Sequence, residues 1–155
     1  MAGRIDARLK ELRIILPPPA RALGSYVPYV RTGNQVWITQ GPILGDELHF
    51  EGKLGREFGV EEGQACARIV MLNVITCLRQ ACGGDLDRVV RAIRCVGVMN
   101  ATADFTQHSQ VMNGASDLLV EVFGEKGRHA RLAYGCSSLP ADLAVDIEAI
   151  FEVET

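Results

Sequence analysis

The sequence lacks the features that mark several functional classes. No apolar run reaches the roughly 18 residues that a membrane-spanning helix needs, and residues 1–10 contain no apolar segment of the kind that a secretory signal carries. The formal net charge is −3, whereas a protein that binds nucleic acid non-specifically is usually basic. We therefore expect a cytoplasmic protein whose partners include neither a membrane nor a nucleic acid.

The cysteines and histidines form no recognisable pairs or clusters along the sequence. The five cysteines are odd in number and include no Cys-x-x-Cys pair, which favours free thiols in a reducing compartment over a disulfide framework. His49, His108 and His129 are isolated from one another, and no metal-ligand spacing recurs. We expect no metal and no cofactor.

The length and composition predict one globular domain over residues 1–155. The chain is 48% hydrophobic and 23% charged, as in ordinary folded proteins. Residues 1–20 form an N-terminal extension, in which Ile5, Leu9 and Leu12 have helical spacing over residues 3–13. Pro17-Pro18-Pro19 then ends this helix and acts as an extended spacer.

Hydrophobic periodicity predicts the remaining elements, in the order β-β-α-β-α-β-β. Two strands flank a turn at residues 31–34, and residues 43–58 show no clear period. Two long helices end at Gly83-Gly84 and at Gly124. The predicted strands before residue 101 are Tyr26–Val30, Gln35–Thr39 and Leu86–Asn100, and the predicted helices are Val60–Cys82 and Phe105–Phe123. One sheet and two long helices form two layers.

The stretch from Arg131 to Ile150 predicts two strands around a break at residues 139–142. Alternation in the second strand places Asp146 and Glu148 on one side. If the two strands pair as a hairpin, Arg131 lies near that acidic side. A guanidinium beside two carboxylates is either a structural ion pair or a binding site, and the residues alone leave both readings open.

The same stretch resembles the C-terminal signature of a known family. Ala130-Arg131, a spacer and Leu139-Pro140-Ala141-Asp142 through Ile150 look like the end of the YjgF/RidA proteins, the reactive-intermediate imine deaminases that are also called L-PSP-like endoribonucleases. Further matches are Gly24-Ser25-Tyr26-Val27, the segment 37–43, Gly84–Val90, and Asp104-Phe105 followed by Asn113. These motifs span residues 24–151, so the chain resembles a divergent branch with an N-terminal extension.

The resemblance implies a fold and an assembly. The expected fold is α+β and chorismate-mutase-like, with a mixed β-sheet and two long helices packed on one face. The expected assembly is a homotrimer with an inner β-barrel and ligand clefts between subunits. The fold alone would not imply chorismate mutase activity.

The resemblance also assigns candidate site residues. Arg131 occupies the position of the substrate-binding arginine, whose parallel donors match a carboxylate. Asp146 stands where the family usually has a glutamate that positions water or moves a proton, and it is one methylene shorter. Ala133 stands where many members have cysteine. The remaining substrate-binding candidates are Tyr26, Gly41, Asn113 and Glu148.

The implied activity is hydrolysis of a small 2-imino or enamine acid to a 2-oxo acid and ammonia, with catalytic roles for Arg131 and Asp146. The alternative is a trimer that binds 2-oxo acids without turnover, because the shorter Asp146 would fail to activate water. Endoribonuclease activity fits the residues poorly, since the chain is acidic and has no basic aromatic patch.

Overall fold

The computed structural model describes residues 3–155, which form three α-helices, three short 3₁₀ turns and seven strands. Strands β1, β2, β5, β6 and β7 form one sheet, and β3 and β4 form a separate small hairpin. The helices are α1 (Arg4–Glu11), α2 (Val60–Ala81) and α3 (His108–Phe123). The strands are β1 (Tyr29–Thr32), β2 (Gln35–Gln40), β3 (Ile43–Leu44), β4 (Glu47–Leu48), β5 (Val89–Asn100), β6 (Ala130–Cys136) and β7 (Val145–Val153).

The main sheet is mixed and has the order β1-β2-β7-β5-β6. Only β5 and β6 pair in parallel; α3 connects them and allows the chain to return to the same end of the sheet. The other neighbours pair antiparallel. These findings confirm the expected α+β class and mixed sheet.

Both long helices pack on one face of this sheet, which we call the helix face. Its strand residues are the ones that alternation buries, such as Ile38, Cys95 and Ala149, all completely inaccessible to solvent. The opposite face, the open face, carries Trp37, Leu132 and Tyr134, whose exposed fractions are 44%, 51% and 46%. The sheet is therefore covered on one side within a single chain.

The two long helices cross where glycines allow close approach. A Cβ added at Gly114 would lie 2.1 Å from the Gln64 carbonyl oxygen, and one added at Gly63 would lie 2.8 Å from Val111 Cγ2. Gln64 Nε2 donates to Gln110 O across the same contact, at 2.8 Å. Packing of α2 on α3 thus depends on two positions that have no side chain.

Most of the predicted elements are confirmed. The hairpin turns at Gly33, and α2 ends at Gly83-Gly84 with φ of 67° and 94°. The N-terminal helix packs its first turn on Asp87, whose carboxylate accepts from the backbone N–H of Arg4 and Ile5 at 2.9 Å each. No helix within residues 3–155 is both long and apolar enough to cross a membrane.

Some of the predicted boundaries are wrong. Strand β1 begins at Tyr29, so Tyr26 precedes it; Pro28 supplies no N–H to extend the ladder. Helix α3 begins at His108, because residues 102–105 form a turn that the Phe105 N–H closes on Thr102 O at 3.1 Å. Residues 43–48 contain the β3–β4 hairpin, which the sequence did not define.

We predict that Gly114→Ala destabilises the protein by about 2 kcal/mol, because the new methyl group overlaps the backbone of α2. Urea unfolding followed by circular dichroism measures the change. Asp117→Ala, at an exposed position on the same helix, is the control and should change stability by less than about 0.5 kcal/mol. Equal stability of Gly114→Ala and the wild type would contradict the close helix contact.

Candidate functional site

The guanidinium of Arg131 is held by one stripe of helix α3. Arg131 Nη1 donates to Asn113 Oδ1 at 2.8 Å and to Ser116 Oγ at 3.1 Å, and Nη2 donates to Ser109 O at 3.1 Å. Positions 109, 113 and 116 recur at intervals of four and three, so they share one side of the helix. The structure therefore brings together two predicted site residues, Arg131 and Asn113.

All three partners of Arg131 are uncharged. Within residues 3–155, no aspartate or glutamate forms an ion pair with it. These hydrogen bonds use three of the five guanidinium N–H groups, which leaves Nε–H and one N–H of Nη2 without a protein acceptor in the described chain. Arg131 is oriented, partly buried and able to bind an anion with two donors.

Ala133 lies two residues further along β6 on the same side of the strand as Arg131. Its neighbour across the parallel ladder is Gly97, and the residue paired with Arg131 is Cys95. Both neighbours belong to the helix face. Arg131, Asn113 and Ala133 thus form one group, which we call the Arg131 edge, at the outer strand of the sheet.

A second group of predicted site residues lines a cleft at the other side of the sheet. Tyr26, Gly41, Asp146 and Glu148 border a cavity of about 460 Å³, which we call the Asp146 cleft. Its wall is mainly apolar, which suits a small organic ligand with few polar groups. The apolar side chains of this wall are Leu23, Ile43, Val98, Pro140, Leu143 and Ile147.

The Asp146 carboxyl group sits in a poorly solvated part of this cleft. Burial raises its pKa from the ordinary 3.8 to about 6. A Cβ atom added at Gly41 would lie 2.8 Å from Asp146 Oδ1, so the carboxylate occupies the space that a side chain at residue 41 would need. Glycine at position 41 therefore lets the backbone of one wall approach the carboxylate of the other.

Asn73 holds the Gly41 wall in place. This residue of α2 is only 1% exposed, and its Nδ2 donates to Gly41 O at 3.1 Å and to Ile43 O at 2.6 Å. Its Oδ1 is buried without a hydrogen-bond partner among the described residues. Burying a polar atom without a partner costs free energy. The two hydrogen bonds from Nδ2 offset this cost, and they fix the loop at residues 41–43.

A polar cluster around the buried Asn100 fixes the opposite wall. Asn100 Nδ2 donates to Asp142 Oδ1 at 2.9 Å and to Gly52 O at 3.3 Å, and Lys53 Nζ donates to Asn100 Oδ1 at 2.7 Å. These bonds tie the loop after β6 to the end of β5. Ala141 and Asp142 in this loop adopt positive φ values of 57° and 56°, a conformation that the cluster stabilises.

The two groups of site residues do not meet within one chain. The hairpin interpretation of residues 131–150 is wrong, because β5 lies between β6 and β7. Arg131 pairs with Cys95 on the helix face, whereas Asp146 pairs with Val98 on the open face. Asp146 and Glu148 do share one face, as their spacing predicted. Of the two readings that the sequence left open, the ion pair between Arg131 and these acids is absent from residues 3–155.

Sequence reasoning missed three residues that shape these groups: Asn73, Ser109 and Ser116. Asn73 is a polar residue inside the apolar stripe of α2, and such a residue signals a buried hydrogen-bonding role. Ser109 contributes its backbone, which no side-chain pattern reveals. Ser116 was detectable as the residue three positions after Asn113 on one helix side.

No cluster of three or more histidine, cysteine, aspartate or glutamate side chains in residues 3–155 is arranged to hold a metal ion. All five cysteines are free thiols, and four are buried. Burial raises the pKa of the Cys66 thiol to about 12 and that of Cys77 to about 11. These two thiols are therefore protonated near neutral pH and act as packing groups.

Comparison with known proteins places this architecture among relatives. Residues 6–150 match the family model of the YjgF/chorismate mutase-like endoribonucleases. The chain is 42% identical over 155 residues to protein TCP17 of Trypanosoma cruzi, covering 98% of this chain and 96% of that one. It is 37% identical to a protein of known structure from Shewanella oneidensis, with a TM-score of 0.92 and coverage of 97% and 100%.

More distant structures share the fold. RidA from an Antarctic Psychrobacter species is 28% identical, with a TM-score of 0.58 and coverage of 87% of this chain and 94% of that one. E. coli TdcF, solved with bound serine, is 22% identical, with a TM-score of 0.62 and coverage of 91% and 96%. The match over residues 6–150 and the identity to TCP17 lead to one conclusion: the chain belongs to the YjgF/RidA family.

Proposed function

We propose that the protein hydrolyses small 2-imino acids, and their enamine tautomers, to 2-oxo acids and ammonia. The observation that carries this proposal is the guanidinium of Arg131, which neutral groups orient and no carboxylate of residues 3–155 neutralises. A planar pair of N–H donors matches the two oxygens of a carboxylate. The substrate class is therefore a small molecule that carries a carboxylate next to its reacting carbon.

The relatives support a ligand of this kind. TdcF, which shares the fold, was solved with serine, a small molecule with a carboxylate and a nitrogen on the adjacent carbon. RidA is among the structures with the same fold. A 2-imino acid has the same arrangement, with the nitrogen doubly bonded to that carbon.

The site of this reaction lies between subunits of a homotrimer. The Arg131 edge and the Asp146 cleft lie on opposite faces of the sheet, so one copy of the chain supplies only half of the site. The open face also presents Trp37, Leu132 and Tyr134, which are about half exposed. A second copy would cover these side chains, as in the inner barrel that the family resemblance implies, and would place an Arg131 edge at each Asp146 cleft.

The chemistry requires positioning and proton transfer more than strong activation. Water adds to the imine carbon, the nitrogen gains a proton, and the C–N bond breaks as ammonia leaves and the carbonyl forms. Asp146, with its pKa raised to about 6, can exchange protons near neutral pH. Arg131 of the partner subunit would hold the carboxylate, so that the carbon faces this group.

A binding role without turnover is the second candidate. Asp146 is one methylene shorter than the glutamate of the family pattern, and its carboxylate lies close against Gly41. If that position keeps it from the substrate water, the trimer would bind 2-oxo acids only. The endoribonuclease name of the family model has less support here, because the chain carries a net charge of −3 and no paired histidines.

Imine trapping tests the proposed reaction. An amino-acid oxidase generates 2-imino acids in situ, and semicarbazide traps what has not hydrolysed. We expect the wild-type protein to lower the trapped product, and Arg131→Ala to abolish this effect because the carboxylate is no longer held. Asp146→Asn should lower the rate by roughly 10²-fold or more, the usual contribution of a proton-transfer group.

Arg68→Ala serves as the matched control for the loss of one arginine. Arg68 forms a half-exposed ion pair with Glu121 at 3.5 Å, away from both halves of the site. This variant should retain full activity. Equal trapped product with and without the wild-type protein, across several imino acids, would contradict the deaminase proposal; retained binding of 2-oxo acids in that case would select the second candidate.

The raised pKa of Asp146 gives a pH-dependent prediction for stability. The folded-state pKa of about 6 lies above the ordinary 3.8, so the carboxylate is less stable in the folded protein than in the unfolded chain. The free energy of unfolding therefore falls as the pH rises from about 3.8 to about 6, and the loss persists at higher pH. Asp146→Asn should therefore stabilise the protein at pH 8, by on the order of 1 kcal/mol for a partly exposed group. Near pH 3.5 the gain should be absent.

Thermal unfolding at fixed protein concentration, at pH 8 and pH 3.5, measures this difference. Asp117→Asn, at an exposed position of α3, controls for loss of a negative charge. A variant that is no more stable at pH 8 than the wild type would show that a cation in the assembled protein offsets the burial of Asp146.

A further inference from the structure

We propose that Ser116 and His129 form a hydrogen-bonded relay that positions the guanidinium of Arg131, which makes His129 a positioning residue of the anion site. The relay runs from Arg131 through the Ser116 hydroxyl to the His129 ring and ends on a backbone carbonyl. The proposal deepens the proposed function, because it rests on Arg131 binding a small carboxylate.

The contacts form one continuous chain. Arg131 Nη1 lies 3.1 Å from Ser116 Oγ, which lies 2.9 Å from His129 Nε2. The other ring nitrogen, His129 Nδ1, lies 2.6 Å from Gly127 O. Each distance is within the range of a direct hydrogen bond.

The Gly127 carbonyl at the end of the relay determines which atom donates in each hydrogen bond. A carbonyl oxygen only accepts, so His129 Nδ1 carries a hydrogen and donates it to Gly127 O. In the neutral ring, Nε2 then accepts, and the Ser116 hydroxyl donates to it. The Ser116 oxygen keeps its lone pairs toward Arg131 Nη1–H, so each donor in the chain has an acceptor.

The surroundings keep the histidine ring neutral. Burial lowers the pKa of His129 and so does the charge of Arg131, while the bond to Gly127 O acts in the opposite direction. A protonated ring would place a second positive charge beside Arg131. It would also require Nε2 to donate, and the Ser116 hydrogen would lose its acceptor. The neutral ring is the form in which the Ser116 hydroxyl both donates to Nε2 and accepts from the guanidinium.

The end of the relay is rigid. A Cβ added at Gly127 would lie 2.1 Å from Leu119 O, so the turn that carries Gly127 packs directly on the backbone of α3. Gly127 is buried, and its turn spans Gly124–Gly127. The same helix supplies Ser116 and Asn113, so the carbonyl that orients His129 and the groups that orient Arg131 move together.

The experiment measures binding of 2-oxobutanoate by isothermal titration calorimetry and turnover by imine trapping. Ser116→Ala and His129→Leu break the relay, whereas Ser116→Thr retains the hydroxyl and His129→Gln retains an acceptor toward residue 116. We expect the first pair to bind about 3- to 10-fold more weakly, the usual effect of one hydrogen bond. The loss should appear in Kd and KM, with a smaller change in kcat, and the conservative pair should bind as the wild type does.

A second readout follows the guanidinium itself. In ¹⁵N-resolved NMR spectra, the Arg131 Nε–H signal should be sharp in the wild type and the conservative variants, and broadened by motion in Ser116→Ala. A purely structural role for Ser116 and His129 would lower thermal stability without separating the conservative variants from the disruptive ones. This readout uses no ligand, so it tests the relay even in a protein that fails to bind 2-oxobutanoate.

The outcomes separate the relay from the proposed function. If Arg131→Ala abolishes binding but Ser116→Ala and His129→Leu bind as the wild type does, the relay is wrong and the proposed function stands. If the wild type shows no turnover and no binding that Arg131→Ala removes, the proposed function is wrong. An unchanged Arg131 Nε–H signal in Ser116→Ala would overturn the relay in either case.

Discussion

The site depends on a cation, Arg131, that is held only by neutral groups. Placing a guanidinium partly out of water costs free energy unless its N–H groups find acceptors. Here Ser109, Asn113 and Ser116 supply those acceptors from one side of α3 and leave the positive charge uncompensated within residues 3–155. An acidic partner would have filled the same donors permanently. The structure thus keeps Arg131 ordered and also available to an anion.

The strand order determines what this cation can reach. Because β5 lies between β6 and β7, Arg131 and Asp146 point to opposite faces of one sheet. The open face that carries Asp146 also carries half-exposed Trp37, Leu132 and Tyr134. One arrangement, a second copy against this face, would both cover the apolar side chains and bring an arginine to the cleft. The proposed site and the proposed trimer therefore depend on the same feature of the sheet.

Local patterns in the sequence predict much of the fold and little of the site geometry. Three features depend only on residues close together in the sequence, and the structure confirms them. They are the apolar stripes of α2 and α3, the glycines that end α2, and the alternation that aligns Asp146 with Glu148. The pairing of β6 is set by contacts far along the chain, which no local period encodes, so the sequence does not show that β6 pairs with β5 and not with β7. Family motifs identified Arg131 and Asn113, whereas Asn73 and Ser116 act through hydrogen bonds across helices and loops that only the structure shows.

Subunit mixing asks whether Arg131 and Asp146 of different chains form one site. Arg131→Ala and Asp146→Asn proteins are unfolded and refolded together in equal amounts, and imine hydrolysis is compared with each variant refolded alone. If the site is shared between subunits, each variant alone is nearly inactive. The mixture then recovers about a quarter of the wild-type sites, those in a closed ring where both intact residues meet across an interface. A mixture no more active than its components, from trimers shown to contain both chains, would show that Arg131 and Asp146 do not meet across an interface.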